Sequence, residues 1–281
     1  MATILRSLLF TPANRVAAFD KALRAGADCV CLDLEDAVPA NFKSAARPDA
    51  LNFLVGAGAK GPIRGVRINA LSSAAGVRDL AGLADAAPKG GLLMLPKVES
   101  AAEVQLVASI LDEVGSDTGL IALVETAEGL SAVEDIARAS DRLRALMFGG
   151  IDLSAELGAH MNSDTMCVAR ARIVQAARAG GRDVLDVPEL DFRNAEKVQN
   201  AAQNAVANGF TGMAAIHPSN LATINAAFTP TIEEIARAQE IVAAFEAAPS
   251  GLVVIDGKLI EAPVIKGMLK RIAIARAVGV L

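Results

Sequence analysis

The sequence predicts an α/β fold: a (β/α)8 TIM barrel with a C-terminal helical extension that packs on a neighbouring subunit. Three observations predict it. Eight short, nearly uninterrupted apolar runs recur along the chain, each is followed by a segment with apolar residues at helical spacing, and charge collects just past the carboxyl ends of the runs. An uninterrupted apolar run is what a parallel strand covered on both faces looks like. Eight strand–helix units in succession close such a sheet into a barrel, and 281 residues is a suitable length for one. An open doubly wound sheet is the competing architecture, but no G-x-G-x-x-G follows the first run.

The units follow in order. Strand 5–10 carries Leu8, Leu9 and Phe10 and precedes helix 14–25. Strand 29–34, opened by Cys29-Val30-Cys31-Leu32, precedes helix 45–55; strand 63–68 precedes 74–86; strand 92–95 precedes 101–114. The fifth strand, 120–124, stops abruptly at Glu125, and 130–139 then places Leu130, Val133, Ile136 and Ala137 on one helical face. The sixth, 145–148, stops at Gly149-Gly150-Ile151-Asp152 and leads to helix 164–179. Strand 183–187 is short and polar, the weakest of the set, and precedes helix 195–207; strand 212–216 precedes 221–227. Beyond the eighth unit, Thr229-Pro230-Thr231-Ile232-Glu233-Glu234 opens an amphipathic helix over 231–247, followed by a short strand 252–255, a turn at Asp256-Gly257 and a last helix 262–278. A closed barrel does not need this extension, so its apolar face is expected to be buried on a second copy. The expected division is a catalytic barrel, 1–228, and an extension, 229–281, that contributes to the oligomer and to an active-site lid.

Composition narrows the function classes. Apolar residues make up 53% of the chain, enough for a large core, while the net charge is −5 with acids and bases interspersed. That balance argues against nucleic acid and leaves any anionic ligand to local basic residues. No apolar run reaches the length of a membrane span, and no signal-peptide cleavage pattern follows the N-terminus, so a cytoplasmic protein with no membrane partner is expected. Three cysteines are too few for a disulfide framework; Cys29 and Cys31 share one face of a strand and read as small buried hydrophobes. With only His160 and His217, a structural zinc site is not expected.

The candidate chemistry lies at the strand ends, because barrel active sites form on the carboxyl rim. Asp33, Glu35 and Asp36 follow the second strand; Arg67 and Asn69 the third; Lys97 and Glu99 the fourth; Glu125, Asp152, Asp186 and His217 the fifth to eighth. A helix cap accounts for any one such charge, notably Asp36 before Ala37-Val38-Pro39 and Glu99 beside Ser100. It accounts less well for Glu125 and Asp152 together, since Thr126 and Ser154 are available as caps there. Two acids on adjacent strand ends repel unless a cation lies between them, and two protein oxygens with open positions suit Mg2+. Arg67, on an apolar strand, needs acids or an anionic ligand as partners. Beside a metal it is equipment for holding a 2-oxo acid and stabilising charge on its oxygen. Lys97 is either a Schiff-base lysine or an ion-pair partner, and the many rim carboxylates favour the ion pair.

The motifs Arg6-Ser7-Leu8-Leu9-Phe10-Thr11-Pro12, Leu32-Asp33-Leu34-Glu35-Asp36-Ala37-Val38, Arg67-Ile68-Asn69, Pro96-Lys97-Val98-Glu99, Val124-Glu125-Thr126-Ala127, Phe148-Gly149-Gly150-Ile151-Asp152-Leu153 and Ala215-Ile216-His217-Pro218 resemble, in order, those of the citrate lyase beta-subunit-like branch of the HpcH/HpaI aldolase superfamily. The resemblance implies a Mg2+-dependent carbon–carbon lyase that cleaves a 3-hydroxyacyl-CoA thioester, of malyl-, citramalyl- or citryl-CoA type, to a 2-oxo acid and an acyl-CoA. It makes Glu125 and Asp152 the metal ligands, Arg67 and Asp36 catalytic, and Glu125, Ile151 and Asp152 part of the substrate site. Phe10, Lys21, Ile216 and His217 would line the acyl-CoA entrance. Glu261, in Gly257-Lys258-Leu259-Ile260-Glu261, stands where the family usually has an aspartate that reaches a neighbouring subunit's site in a trimer, or dimer of trimers. Ala13 departs from the Pro-Gly common in the family, Ala17 from a lysine with which some relatives bind coenzyme A, and Met213 from a lysine often found before the Ile-His-Pro segment. Two alternatives keep the same metal pair: an aldolase acting on free 4-hydroxy-2-oxo acids, and a citrate lyase beta subunit acting on an acyl-carrier-protein thioester within a complex. Phosphoryl transfer is disfavoured, as no glycine-rich phosphate loop is evident.

Overall fold

The computed structural model describes residues 4–56, 61–248 and 253–281. Strands β1 (Ser7–Pro12), β2 (Cys29–Asp33), β3 (Ile63–Arg67), β4 (Leu92–Leu95), β5 (Gly119–Val124), β6 (Leu143–Phe148), β7 (Asp183–Asp186) and β8 (Gly212–Ala215) pair in sequence order, all parallel, and β8 returns to β1 to close the barrel. The helices are α1 (Phe19–Leu23), α2 (Lys43–Val55), α3 (Ala74–Ala86), α4 (Ala101–Glu113), α5 (Ala127–Ser131), α6 (Val133–Ile136), α7 (Gly150–Glu156), α8 (Asp164–Ala179), α9 (Ala195–Ala207) and α10 (Leu221–Ala227). All eight expected strands are present, the short seventh included.

The helical expectations fail in two units. Only a 3-10 turn, Val16–Ala18, and the five residues of α1 form in 14–25, before Gly26 takes φ +91. The helix expected over 130–139 is broken into α5 and α6. The Ser131 carbonyl, which would accept the Asp135 amide in a continuous helix, instead accepts Arg172 Nη2 at 3.0 Å, and the Asp135 amide bonds Ala132. The sequence reading had no helix at α7, whose first turn carries Asp152.

The inside of the barrel follows from the two-residue period of a strand. Leu8, Cys29 and Cys31, Leu92 and Met94, Ile121 and Leu123, Ala145 and Met147, Leu185 and Ala214 form one buried cluster, with Phe10 and Ile63 packed against it. Intervening residues such as Leu9, Val30, Leu93, Ala122 and Leu146 are buried as well, under the surrounding helices. Both cysteines are buried inside the barrel, and burial pushes their thiols well above the ordinary range, as expected of inert fillers.

Leu5–Ile224 form one compact unit, and Asn225–Leu281 belong to a second. Within the second, α11 (Ile232–Glu246) begins with a capping box between Thr231 and Glu234. Strands β9 (Val253–Ile255) and β10 (Lys258–Ile260) form an antiparallel hairpin, and α12 (Ala262–Ala277) follows. A single strand over 252–255 was expected; Leu252 lies outside the described residues. The second strand exists because Asp256 and Gly257 adopt φ 50 and φ 73, the two positive values a tight hairpin turn requires, and this pairs Lys258 with Ile255. Ala238, Ile241, Val242, Ile260, Ile265 and Ile272 make this unit's core.

Truncating a fully buried inward side chain leaves a cavity that the closed barrel cannot collapse around. Ile121→Ala should cost about 2–5 kcal/mol, read as a lower urea midpoint; a loss below about 1 kcal/mol would show a softer interior than the packing implies.

Candidate active site

One step of the strand period beyond the inner core layer, the inward positions change character. They become Pro12 on β1, Asp33 at the end of β2, Arg67 at the end of β3, Glu125 after β5, Gly149 after β6, Val187 after β7 and Ile216 after β8. All seven line one cavity of about 430 Å3 at the carboxyl end of the barrel, over Phe10, Leu123 and Met147. The acids Asp36 and Asp152 complete its polar side; Ile151, Pro188 and Leu190 extend the apolar side.

Arg67 anchors the polar side. Asp33 and Arg67 are register partners across β2 and β3, and Asp33 grips the guanidinium with both oxygens, at 2.8 Å from Nε and 2.6 Å from Nη2. Asp33 also accepts the amides of Glu35 and Ala37, so one buried carboxylate holds both the β2–α2 turn and the arginine. The remaining edge of Arg67 lies 2.9 Å from Glu35 and 3.8 Å from Asp36, and its face covers the Phe10 ring at 5.0 Å. Burial works against the charge of Arg67, but the bond to Asp33 and the neighbouring acids outweigh it and raise its pKa.

Lys97 joins the acids. Its Nζ lies 2.5 Å from Glu35 and 4.0 Å from Asp152, and its backbone amide donates to Glu125 Oε1 at 3.0 Å. The residue adopts φ 49, a left-handed conformation that is costly for a side chain and that lets amide and ammonium serve different acids. Burial again opposes the charge, and the Glu35 contact and other carboxylates overcome it. The ion-pair reading of Lys97 is the one the geometry supports.

Glu125 is the residue out of balance. Burial, then the nearby charges of Glu35 and Asp152, push its carboxyl up to about 8. It is held against Gly149, where an added Cβ would stand 2.2 Å from Glu125 Cβ and 2.8 Å from its Oε2. A buried acid beside two others, with Arg67 and Lys97 already engaged, is a site short of positive charge. The donor set therefore fits a hard divalent cation such as Mg2+, with Glu125 and Asp152 as the oxygens to hold it. Among the described residues no group of three or more His, Cys, Asp or Glu is placed to hold a metal ion.

The cavity brings together Phe10, Asp36, Arg67, Glu125, Ile151, Asp152 and Ile216. Two other candidates stand apart from it. Lys21 is exposed on α1, while His217 stacks on Phe192 with ring centroids 5.0 Å apart and accepts the Ser219 amide. Glu261 is at the N-cap position of α12, exposed, in the second unit. The cap readings of three rim residues are corrected. Asp36 caps no helix, because α2 starts only at Lys43; its turn is held by Asp33. The acid in the α4 capping box is Glu103 rather than Glu99. Thr126 does cap α5, but Ser154 lies inside α7 and donates to the Ile151 carbonyl. Asp186 is buried against Arg170 at 2.6 Å and does not line the cavity. Sequence reasoning placed Asp33 and Glu35 on the rim without a role, although the alternation of Cys31, Asp33 and Glu35 along one side of the chain was an available signal, and it named Gly149 in a motif without its close approach to Glu125.

The family model described as HpcH/HpaI aldolase/citrate lyase matches residues 6–218. The mitochondrial citramalyl-CoA lyase of Homo sapiens is 31% identical over 97% of this chain and 86% of its own length. A (3S)-malyl-CoA thioesterase of Cereibacter sphaeroides is 34% identical over 91% of this chain and 89% of its own. The crystal structure of protein CitE from Mycobacterium tuberculosis, in complex with magnesium, acetoacetate and coenzyme A, superimposes with a TM-score of 0.78 at 35% identity, covering 97% of this chain and 100% of that one.

Two predictions follow from Glu125. In metal-free protein it keeps its proton until about pH 8, whereas the unfolded chain loses it near 4.5. The folded state binds the extra proton between those values, so stability falls as pH rises through that window. Thermal unfolding in EDTA should show this decline, Mg2+ should offset it at the alkaline end, and Glu125→Gln should remove most of the part above about pH 6, the acid range being shared with buried Asp186, itself pushed up to about 6; a wild-type midpoint insensitive to pH would contradict the assignment. Gly149→Ala should push the Glu125 carboxylate aside and weaken Mg2+ binding by roughly 10–100-fold, the usual cost of disturbing a ligand's support, with unchanged affinity in calorimetry as the contrary result.

Proposed function

The chain belongs to the HpcH/HpaI aldolase/citrate lyase family, and we propose that it is a Mg2+-dependent carbon–carbon lyase acting on a 3-hydroxyacyl-CoA thioester, releasing a 2-oxo acid and an acyl-CoA. The observation that carries the reading is the uncompensated Glu125 beside Asp152, in a cavity that Arg67 also lines. Magnesium held by Glu125 and Asp152 would supply electrophilic polarisation of the oxygen on the departing oxo acid. Arg67, fixed in orientation by Asp33 before any substrate arrives, stabilises charge on that same oxygen. Asp36 would take the hydroxyl proton, a role supported by its solvent-accessible carboxylate beside Arg67 and its freedom from any capping duty. As the C–C bond breaks, its electron pair passes to the thioester's α-carbon as an enolate, and a proton delivered there completes the acyl-CoA. Glu261 from a second copy is our candidate for that proton, in an assembly (a trimer or a dimer of trimers) where the 229–281 extension closes the cavity.

The cavity also narrows the substrate. Arg67 is its only lining cation among the described residues and is already engaged by acids, while Leu123, Met147, Ile151, Val187, Pro188, Leu190 and Ile216 make the rest largely apolar. A second carboxylate on the departing oxo acid would find no partner there. Malyl- and citramalyl-type thioesters, which release glyoxylate or pyruvate, are favoured over the citryl type. Similarity to a (3S)-malyl-CoA thioesterase supports a second reading, hydrolysis of the thioester, which products distinguish.

With Mg2+ and citramalyl-CoA or malyl-CoA, the protein should release 2-oxo acid and acyl-CoA in equal amounts. Glu125→Ala or Asp152→Ala should lower that rate by at least about 100-fold, and Asp36→Asn by roughly 10²–10⁴-fold in kcat. Release of free coenzyme A with the intact hydroxy acid would indicate the thioesterase; wild-type rates in both metal-ligand variants would remove the site.

A further inference from the structure

The lyase reading leaves Asn69, of Arg67-Ile68-Asn69, without a task. It lines a different cavity, of about 530 Å3, which lies between the openings of α2 and α3 and shares Asp36 with the first. There Asn69 is part of a buried node. Asp79, fully buried on α3, accepts the Asn69 amide at 2.9 Å, the Asn69 side chain at 2.6 Å and Arg47 Nε at 2.5 Å. The other end of the Asn69 side chain accepts Lys43 Nζ. Two cations on successive turns of α2 are thus held from below, each committing one donor and keeping the rest for the cavity they line.

Arg78 adds a third cation from α3, bonded among the described residues only to the carbonyl of Ala74 in its own helix. The cavity's charges do not cancel. Lys97 is spent on Glu35, Asp36 faces Arg67, and Arg47 shares Asp79, which leaves Lys43 and Arg78 without a carboxylate among the described residues. In a chain of net charge −5 this is a local reversal of sign. Two guanidinium forks, one from each helix, with an ammonium lining the same cavity, match the several oxygens of a phosphate group better than the two of a carboxylate. Both helices also begin here, so their backbone dipoles add charge of the same sign.

We propose that this second cavity binds the phosphate groups of a ligand, at Lys43, Arg47 and Arg78, with Asn69 and Asp79 positioning the first two. The ligand is a phosphate ester or pyrophosphate, either the phosphates of a coenzyme carried by the substrate or those of a free nucleotide. Binding there requires none of the lyase chemistry, so the two can fail separately.

Calorimetry on the full-length protein with inorganic pyrophosphate tests it directly. Wild type should bind, more weakly as NaCl is raised, and Lys43→Ala with Arg78→Ala should weaken binding at least tenfold with an unchanged thermal midpoint. Arg78→Ala alone, at an exposed position, should give a measurable part of that loss, which guards against a folding defect in the double variant. No binding to wild type, or equal binding to both variants, would overturn the proposal. Turnover separates the two ligand sources: a KM raised in the double variant for a coenzyme A thioester but not for its pantetheine analogue identifies the coenzyme, whereas an unchanged KM for both, with pyrophosphate and ATP binding lost, identifies a free nucleotide.

Discussion

Carboxylates buried side by side raise one another's energy, and the mouth of this barrel holds Asp33, Glu35 and Glu125 buried, with Asp152 half-exposed beside them. Two cations, Arg67 and Lys97, are woven through them, and much else in the site follows from where those two are spent. Arg67 is bound by Asp33 and touches Glu35; Lys97 takes Glu35 and offers its amide to Glu125. Asp33 and Arg67 are thereby balanced, while Glu125 retains its proton in the absence of a further positive charge. The same imbalance that destabilises ionised Glu125 is what a divalent ion would relieve, so the affinity for metal and the local instability of the metal-free mouth have one cause.

The barrel makes this arrangement by repetition. Most strands contribute inward apolar residues and then, two residues later, a residue at the rim, so that the floor of Leu123 and Met147 passes into Glu125 and Gly149. The strands where the rim residue is small or apolar, Pro12, Gly149, Val187 and Ile216, are the ones that leave room, and the strands where it is charged, Asp33, Arg67 and Glu125, are neighbours or near neighbours in the closed sheet. Polar chemistry therefore sits on one side of the cavity and apolar contact on the other, the division expected of a site that holds an oxo acid at one end and excludes water at the other.

Much of this was legible before any coordinates. Buried parallel strands are written as apolar runs, so all eight could be read, and the acids ending the fifth and sixth runs pointed to the pair proposed to hold the metal. Helices were less legible where a tertiary contact decided them: nothing local to 130–139 reveals that Arg172, some forty residues on, takes the Ser131 carbonyl and divides the helix. Caps were misassigned for the same reason. Asp36 looks like a cap because it follows a strand, yet the turn is held by Asp33, whose partners include a residue on another strand. The role of Gly149 depends on how closely its backbone passes Glu125 beyond the end of β5, where an added Cβ would stand 2.2 Å from the Glu125 Cβ, information that exists only after β5 and β6 pair. Asn69 could be seen as part of a motif, but its partnership with Asp79 and Lys43 joins three separate segments.

The account stands on a divalent ion lying between Glu125 and Asp152. Anomalous diffraction from crystals soaked in Mn2+ tests this most directly. The predicted result is a single strong peak within about 2.1 Å of a carboxylate oxygen from each residue, with Arg67 still gripped by Asp33. A peak elsewhere on the molecule, or none at the barrel mouth while Glu125 keeps only its bond to the Lys97 amide, would contradict it.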